Sequence, residues 1–422
     1  MDVSVTVLGA LTALVVAIVL ILRKVPPAYG MMIGALAGGI VGGIGLVDSV
    51  NLMMEGAKGM VPAVLRILAA GVLAGVLIES GGAKTIAETL VRKVGETRAL
   101  FALAFATMVL TAVGVFIDVA VITVAPIALA IAQRAGLSRM AILLAMIGGG
   151  KAGNIMSPNP NAISAAEAFN IPLTSMMMAG IIPALAGLVV TYLIAKRLTK
   201  KGTMIAAEES VDNGELQLPS FMAAMMAPLT AIVLLALRPL AGIVIDPIIA
   251  LPVGGFVGAL CMGRTKHINQ YAISGLGKMT GVAVMLLGTG TLAGIISNSK
   301  LKDVIIDSLA SSGLPAYLLA PISGAFMSLA TASTTAGTAV ASSVFGPTIM
   351  DLGVASLGAA AMIHAGATVF DHMPHGSFFH ATGGSVNMGM KERLRLIPYE
   401  TAIGLVLALV STLVFGVFGW FL

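Results

Sequence analysis

The chain predicts an all-α, polytopic membrane protein made of two repeats of inverted topology, each holding a helical hairpin and an interrupted helix. Three observations lead there. Of the 422 residues, 58% are hydrophobic and 10% charged, and the mean hydropathy is +1.02, which leaves too little polar surface to cover a soluble globule of this length. Apolar runs at 3–22, 29–47 and 403–422 approach the roughly 20 residues that a spanning helix needs. Blocks of the first half also recur in the second. Gly56-Ala57-Lys58-Gly59-Met60 returns as Gly275-Leu276-Gly277-Lys278-Met279, Leu73-Ala74-Gly75 as Leu292-Ala293-Gly294, and Ala135-Gly136-Leu137 as Leu352-Gly353-Val354.

The elements follow in order. Residues 3–22, 28–47 and 60–79 are apolar stretches of spanning length. Residues 82–97 set apolar positions against Lys84, Arg92 and Lys93 and predict an amphipathic helix at the membrane surface. Residues 99–133 fit two apolar helices folded into a hairpin, 139–168 carry an interruption, and 173–195 close the half. A hairpin that dips in and returns leaves five crossings per half, and an odd number of crossings inverts the second half. The repeats are therefore 1–197 and 220–422. They are joined by 198–219, a polar stretch with Lys200, Lys201, Glu208, Glu209, Asp212 and Glu215 that predicts a cytoplasmic linker.

Charge placement tests this topology independently. With both termini outside, Arg23, Lys24, Arg92, Lys93, Arg134, Arg139 and most other basic residues fall in the cytoplasm. Only Lys58, Arg238, Lys300 and Lys302 fall outside, a strong positive-inside asymmetry for a multi-pass protein of the cell inner membrane. The net charge of +5 is thereby assigned to cytoplasmic loops and not to nucleic-acid binding. Met1 leads almost directly into the first span, which predicts a retained helix. The single Cys261 excludes an intramolecular disulfide. No nucleotide-binding loop, nucleophile elbow or Cys/His metal motif occurs, so an enzyme reading has no site and ATP-driven transport no motor; no cofactor or resident metal is expected.

Two segments place helix-breaking and ionisable residues inside apolar surroundings, at matching positions of the two halves. One runs from Gly148-Gly149-Gly150-Lys151 to Ser157-Pro158-Asn159-Pro160-Asn161, the other from His364 through Asp371-His372-Met373-Pro374-His375-Gly376. Unwound backbone survives at membrane depth only where protein or a water-filled cavity satisfies its polar groups. A matched pair of interruptions therefore points to a central binding site and to a transporter, with 148–161 facing 364–377.

The order of elements, the segment Pro158-Asn159-Pro160-Asn161-Ala162-Ile163-Ser164-Ala165-Ala166, the hydroxyl-rich tip Thr331-Ala332-Ser333-Thr334-Thr335 and the Asp371-His372-Met373-Pro374-His375 segment resemble the gluconate permease (GntP-type) family of the ion transporter superfamily. The resemblance implies a proton-coupled symporter importing gluconate, a related sugar acid, D-serine or a short hydroxy acid, and, from the wider superfamily, a homodimeric elevator-type transporter. Gluconate-type members tend to carry Pro-Pro-His-Pro-Gly-Pro where this chain has Ser157-Pro158-Asn159-Pro160-Asn161. Its Asp371-x-x-Pro374-His375 pattern looks more like the hydroxybutyrate-permease relatives, so a short hydroxy acid stands beside the sugar acids.

The candidate residues divide by chemistry. Lys151 offers a cation to a carboxylate, its bland alternative being a lysine that snorkels to an interface. Asn154, Ser157, Asn159 and Asn161 suit substrate hydroxyls or else satisfy the freed backbone of the break. Ser333, Thr334, Thr335 and Thr338 either bind substrate at the second hairpin tip or let helices approach closely. Asp118 at the first tip, Asp371, His372 and His375 are candidates for the coupling proton, with His372 and His375 also facing substrate; His364 and His380 are lesser candidates. A cation/proton antiporter and a sodium-coupled carboxylate transporter are the alternatives, with a channel or intramembrane enzyme behind them.

Overall fold

The computed structural model describes residues 4–95, 98–205 and 218–420. Residues 206–217, most of the predicted linker, lie outside the described residues. The described chain is helical apart from its turns and two isolated β-bridges. The first half holds α1 (Val7–Leu22), α2 (Pro27–Val41), α3 (Leu46–Gly59), α4 (Val61–Glu79), α5 (Gly82–Val94), α6 (Ala99–Ala112), α7 (Ile117–Ala135), α8 (Arg139–Asn154), α9 (Pro160–Ala168), α10 (Leu173–Ala179) and α11 (Ile181–Arg197). The second half holds α12 (Phe221–Ala241), α13 (Pro247–Cys261), α14 (Ile268–Ser297), α15 (Leu301–Ser312), α16 (Leu319–Thr331), α17 (Thr334–Asp351), α18 (Ser356–Gly366), α19 (Ser377–Ser385) and α20 (Met390–Ser411), which continues as π-helix over Thr412–Val417.

Among the described residues, six helical stretches are long and apolar enough to cross a membrane: Val61–Glu79, Ile117–Ala135, Leu173–Arg197, Phe221–Ala241, Thr265–Ser297 and Met390–Val417. Shorter apolar helices, including α1, α2, α6 and α13, add to them. The expected stretch 28–47 is shorter than predicted. It ends at Gly42, Gly43 takes a left-handed φ of 87°, and a further helix, α3, begins at Leu46. In the second half α14 runs 30 residues without a break.

Helix contacts sort the chain into two groups. One is α1–α4 with α12–α14, where α1 packs on α2, α12 on α13, and α14 on α2, α3 and α4. The other is α6–α11 with α16–α20, where α8 packs on α6 and α11, α18 on α16 and α20, α9 on α17, and α19 on α7. The amphipathic α5 turns Ile86, Ala87 and Val91 inward and touches both groups, meeting α4 and α12 on one side and α6 and α7 on the other. Between the groups lie the contacts of α14 with α17, α4 with α9, and α1 with α16.

Glycines set the closest crossings. A Cβ added at Gly149 would lie 2.0 Å from the Ala104 carbonyl oxygen, and one at Gly366 2.2 Å from that of Pro321. Both neighbours are backbone and have no rotamer by which to yield. Gly149→Ala is therefore expected to separate α8 from α6 and to lower stability by about 1–3 kcal/mol, the usual range for overpacking. A thermal melt of the detergent-purified protein checks it; an unchanged melting temperature would mean that the crossing relaxes at no cost.

Candidate functional site

Both hairpin tips and both helix breaks meet at one cavity of about 650 Å³. Its walls include Phe116, Ile117 and Asp118 from the first tip, and Ala332, Ser333, Thr334 and Thr335 from the second. The first break contributes Asn154, Asn159, Pro160 and Asn161, and the second Asp371, Ser377 and Phe378. The first helix group closes the other side with Pro26, Pro27, Tyr29 and the α14 stretch from Lys278 to Met285. The volume lies within the roughly 300–1,000 Å³ of small-ligand sites.

Four helices start at this wall. Ile117, Pro160, Thr334 and Ser377 open α7, α9, α17 and α19, and each lines the cavity. Helix amino termini carry unpaired N–H groups and about half a positive charge each, so their convergence favours an anion. Two of the four are capped by side chains: Asn159 Oδ1 accepts from Ala162 N at 2.9 Å, and Ser333 Oγ from Ala336 N at 3.2 Å. No side chain caps α7 or α19.

Behind the wall is a buried ionic cluster. Lys151 is 0% exposed; its Nζ lies 2.6 Å from Asp371 Oδ1, donates to the Thr368 carbonyl at 2.7 Å and sits 3.0 Å from His372 Nδ1. His372 Nδ1 is also 3.1 Å from Asp371 Oδ1, while its Nε2 is 3.1 Å from both the Ile397 carbonyl and Thr401 Oγ1 on α20. The other Asp371 oxygen accepts from Thr334 Oγ1 at 2.6 Å, which ties the second hairpin tip to the second break. Thr335 Oγ1 donates to Asn161 Oδ1 at 2.6 Å and ties the same tip to the first break.

The predicted site residues thus come together unevenly. Asp118, Asn154, Asn159, Asn161, Ser333, Thr334, Thr335 and Asp371 line the cavity. Lys151 and His372 do not: both are sealed beneath it, and the cation expected to face a carboxylate faces Asp371. Ser157 and Thr338 are fully buried, each with a hydroxyl that has no protein partner. Asn154 Nδ2 likewise has none; it is buried, although the residue lines the cavity. His375 lines an adjoining cavity of about 570 Å³ with His380 and Lys24, which shares Pro26, Pro27, Ser333 and Ser377 with the first. His364 is buried away from both, beside Ser411.

Sequence reasoning missed the Thr368 carbonyl, Thr401 and the cavity-facing stretch of α14. Lys278 alone had a signal, lying in the recurring Gly-Lys-Met block; it lines the cavity and pairs with Glu79 Oε1 at 3.0 Å.

Known proteins bear on this arrangement. Residues 5–418 match the family described as GntP family permease. An "uncharacterized transporter" of Haemophilus influenzae is 69% identical, covering 98% of this chain and 99% of its own length. A gluconate permease of Pseudomonas aeruginosa is 26% identical over 96% of this chain and 97% of its own. Among solved structures, the YdaH transporter of Alcanivorax borkumensis shares the fold at a TM-score of 0.61 and 18% identity, covering 88% of this chain and 87% of that one.

Proposed function

Since this chain belongs to the GntP permease family, a family of membrane transporters and not of enzymes, we propose that it is a proton-coupled symporter importing a small hydroxycarboxylate of the gluconate or short hydroxy-acid type. The observation that carries this reading is the meeting of four helix amino termini, neutral hydroxyl and amide groups and two carboxylates around one cavity. The helix termini offer donors to a carboxylate, and Asn161, Ser333 and Thr335 offer partners to hydroxyls. Lys151 acts through Asp371, offsetting its charge, and does not reach the substrate itself.

An anionic substrate adds negative charge beside Asp118 and Asp371, and a proton taken up with it offsets the cost. His372 Nδ1 lies 3.0 Å from Lys151 Nζ and 3.1 Å from Asp371 Oδ1, so the ring accepts from Lys151 at Nδ1 and donates from Nε2 to the Ile397 carbonyl, and it ties the carboxylate to α20.

The two halves we take as inverted repeats, supported by reciprocal contacts. When Leu137 is aligned with Val354, Gly149 on Ala104 and Gly366 on Pro321 become the same contact in each half, and Lys151 meets its own counterpart, Thr368. When Leu73 is aligned with Leu292, Gly56 against Gly290 and Gly275 against Gly71 are likewise equivalent. In an elevator cycle the α6–α11 and α16–α20 group slides against the α1–α4 and α12–α14 group, and the latter holds a homodimer together. The cavity lies beside the α1–α2 connection, so with both termini outside it opens to the cytoplasm.

The test is radiolabelled substrate accumulation in proteoliposomes under an imposed pH gradient. Accumulation of a sugar acid or short hydroxy acid that collapses with a protonophore and ignores sodium is expected. Accumulation that needs sodium and ignores the protonophore would overturn proton coupling and leave the carboxylate site standing. Proton-driven sodium flux without organic substrate would make the protein an antiporter.

A further inference from the structure

The two helix groups are joined by an ion pair far from the cavity. α9 begins at the cavity wall with Pro160, and Glu167 lies about two turns further on, roughly 10 Å along its axis. There Glu167 Oε2 pairs with Arg66 Nη1 of α4. Arg66 also holds Asp246, the amino-terminal cap of α13, with Nη2 2.7 Å from Oδ2 and Nε 3.2 Å from both oxygens. The Arg66 hydrogen bonds keep the Asp246 carboxyl below the ordinary carboxylate range, so it stays ionised at neutral pH. On α4 this cluster stands roughly 20 Å from Glu79, which marks the cavity end by its pair with the wall residue Lys278. A smaller cavity of about 170 Å³ surrounds the cluster and is also lined by Arg238 and Asn170.

We infer that the Arg66–Glu167 pair is a latch that closes the face opposite the cavity mouth and weights the transport equilibrium towards the conformation described here. This rests on the sliding of one helix group against the other proposed above. Arg66 and Asp246 both belong to the stationary group, and Glu167 belongs to the moving one. When Glu167 leaves, Arg66 keeps a two-pronged carboxylate partner, so opening strands no unpaired cation. The Arg66 and Glu167 side chains are 29% and 24% exposed, so water screens the pair in part, as a reversible contact requires.

The test uses the full-length protein with Cys261→Ala and one reporter, Thr280→Cys, at an exposed position of the cavity wall. Glu167→Gln removes the contact between groups and leaves Arg66–Asp246 intact. It is expected to slow maleimide labelling of the reporter by about two- to fivefold, as the strength of a partly screened pair allows, and Glu167→Asp is expected to restore most of the rate. An unchanged labelling rate in Glu167→Gln would overturn the latch. A second arm bridges Arg66→Cys and Glu167→Cys with a short bifunctional methanethiosulfonate. The bridge is expected to stop uptake, and reduction to restore it. Blocked uptake together with unchanged Glu167→Gln labelling removes the latch alone, whereas normal uptake by the bridged protein removes the sliding motion as well.

Discussion

Asp371→Asn is expected to abolish concentrative uptake and to destabilise the protein by about 3–5 kcal/mol, the usual cost of stranding one partner of a buried ion pair. Lys151 is fully buried, and Asp371 is the carboxylate beside it at 2.6 Å, so the substitution leaves the ammonium group among neutral acceptors with no opposing charge. Lys151→Met is expected to cost a similar amount by stranding Asp371. Removing both charges, in Lys151→Met with Asp371→Leu, is expected to recover part of the stability and none of the uptake, because charge removal relieves desolvation without restoring a proton acceptor. Melting temperatures of the four proteins close the double-mutant cycle. Additive losses would show that the two charges do not depend on one another.

Asp118→Asn has the second largest expected effect, and of a different kind. Asp118 is half-buried at the cavity wall, in the first turn of α7, where its Oδ1 accepts from Val119 N at 2.9 Å. An amide oxygen can keep that bond, so the fold is expected to hold within about 1 kcal/mol. On the proposed coupling, the variant loses a carboxylate to bind and release a proton with the substrate. Counterflow between equal substrate pools is expected to persist, while accumulation against a pH gradient falls by something within the roughly 5–150-fold range of typical coupling energies. Full accumulation by Asp118→Asn would leave the coupling proton to Asp371 and His372.

Much of the helical framework was legible in the sequence because its signals are local. Apolar runs of spanning length mark α4 and the last part of α20, and the Gly-rich and Pro-rich interruptions separate α8 from α9 and α18 from α19. Hairpin tips at Phe116–Asp118 and Thr331–Thr335 fall where the apolar runs stop. The helix α3 was not legible, since Leu46–Gly59 mixes Asp48, Asn51, Glu55 and Lys58 with apolar residues and is shorter than a span.

By itself the sequence determined that this is a helical membrane protein with two matched breaks, because segment length, hydropathy and helix-breaking residues act within a turn or two of themselves. It also named most of the polar residues of the cavity wall, since polar residues in an apolar run have few places to go. Only the tertiary structure decided partners. Lys151 serves Asp371 because the fold brings the end of α8 to Thr368 and Asp371 of the second break, and His372 reaches Thr401 because α20 lies against α18. Arg66 binds Glu167 and Asp246 because α4, α9 and α13 meet at one end. A side chain's type states which charge it can carry, but the charge it meets is set by how distant helices pack, and that is a property of the whole chain and not of any window along it.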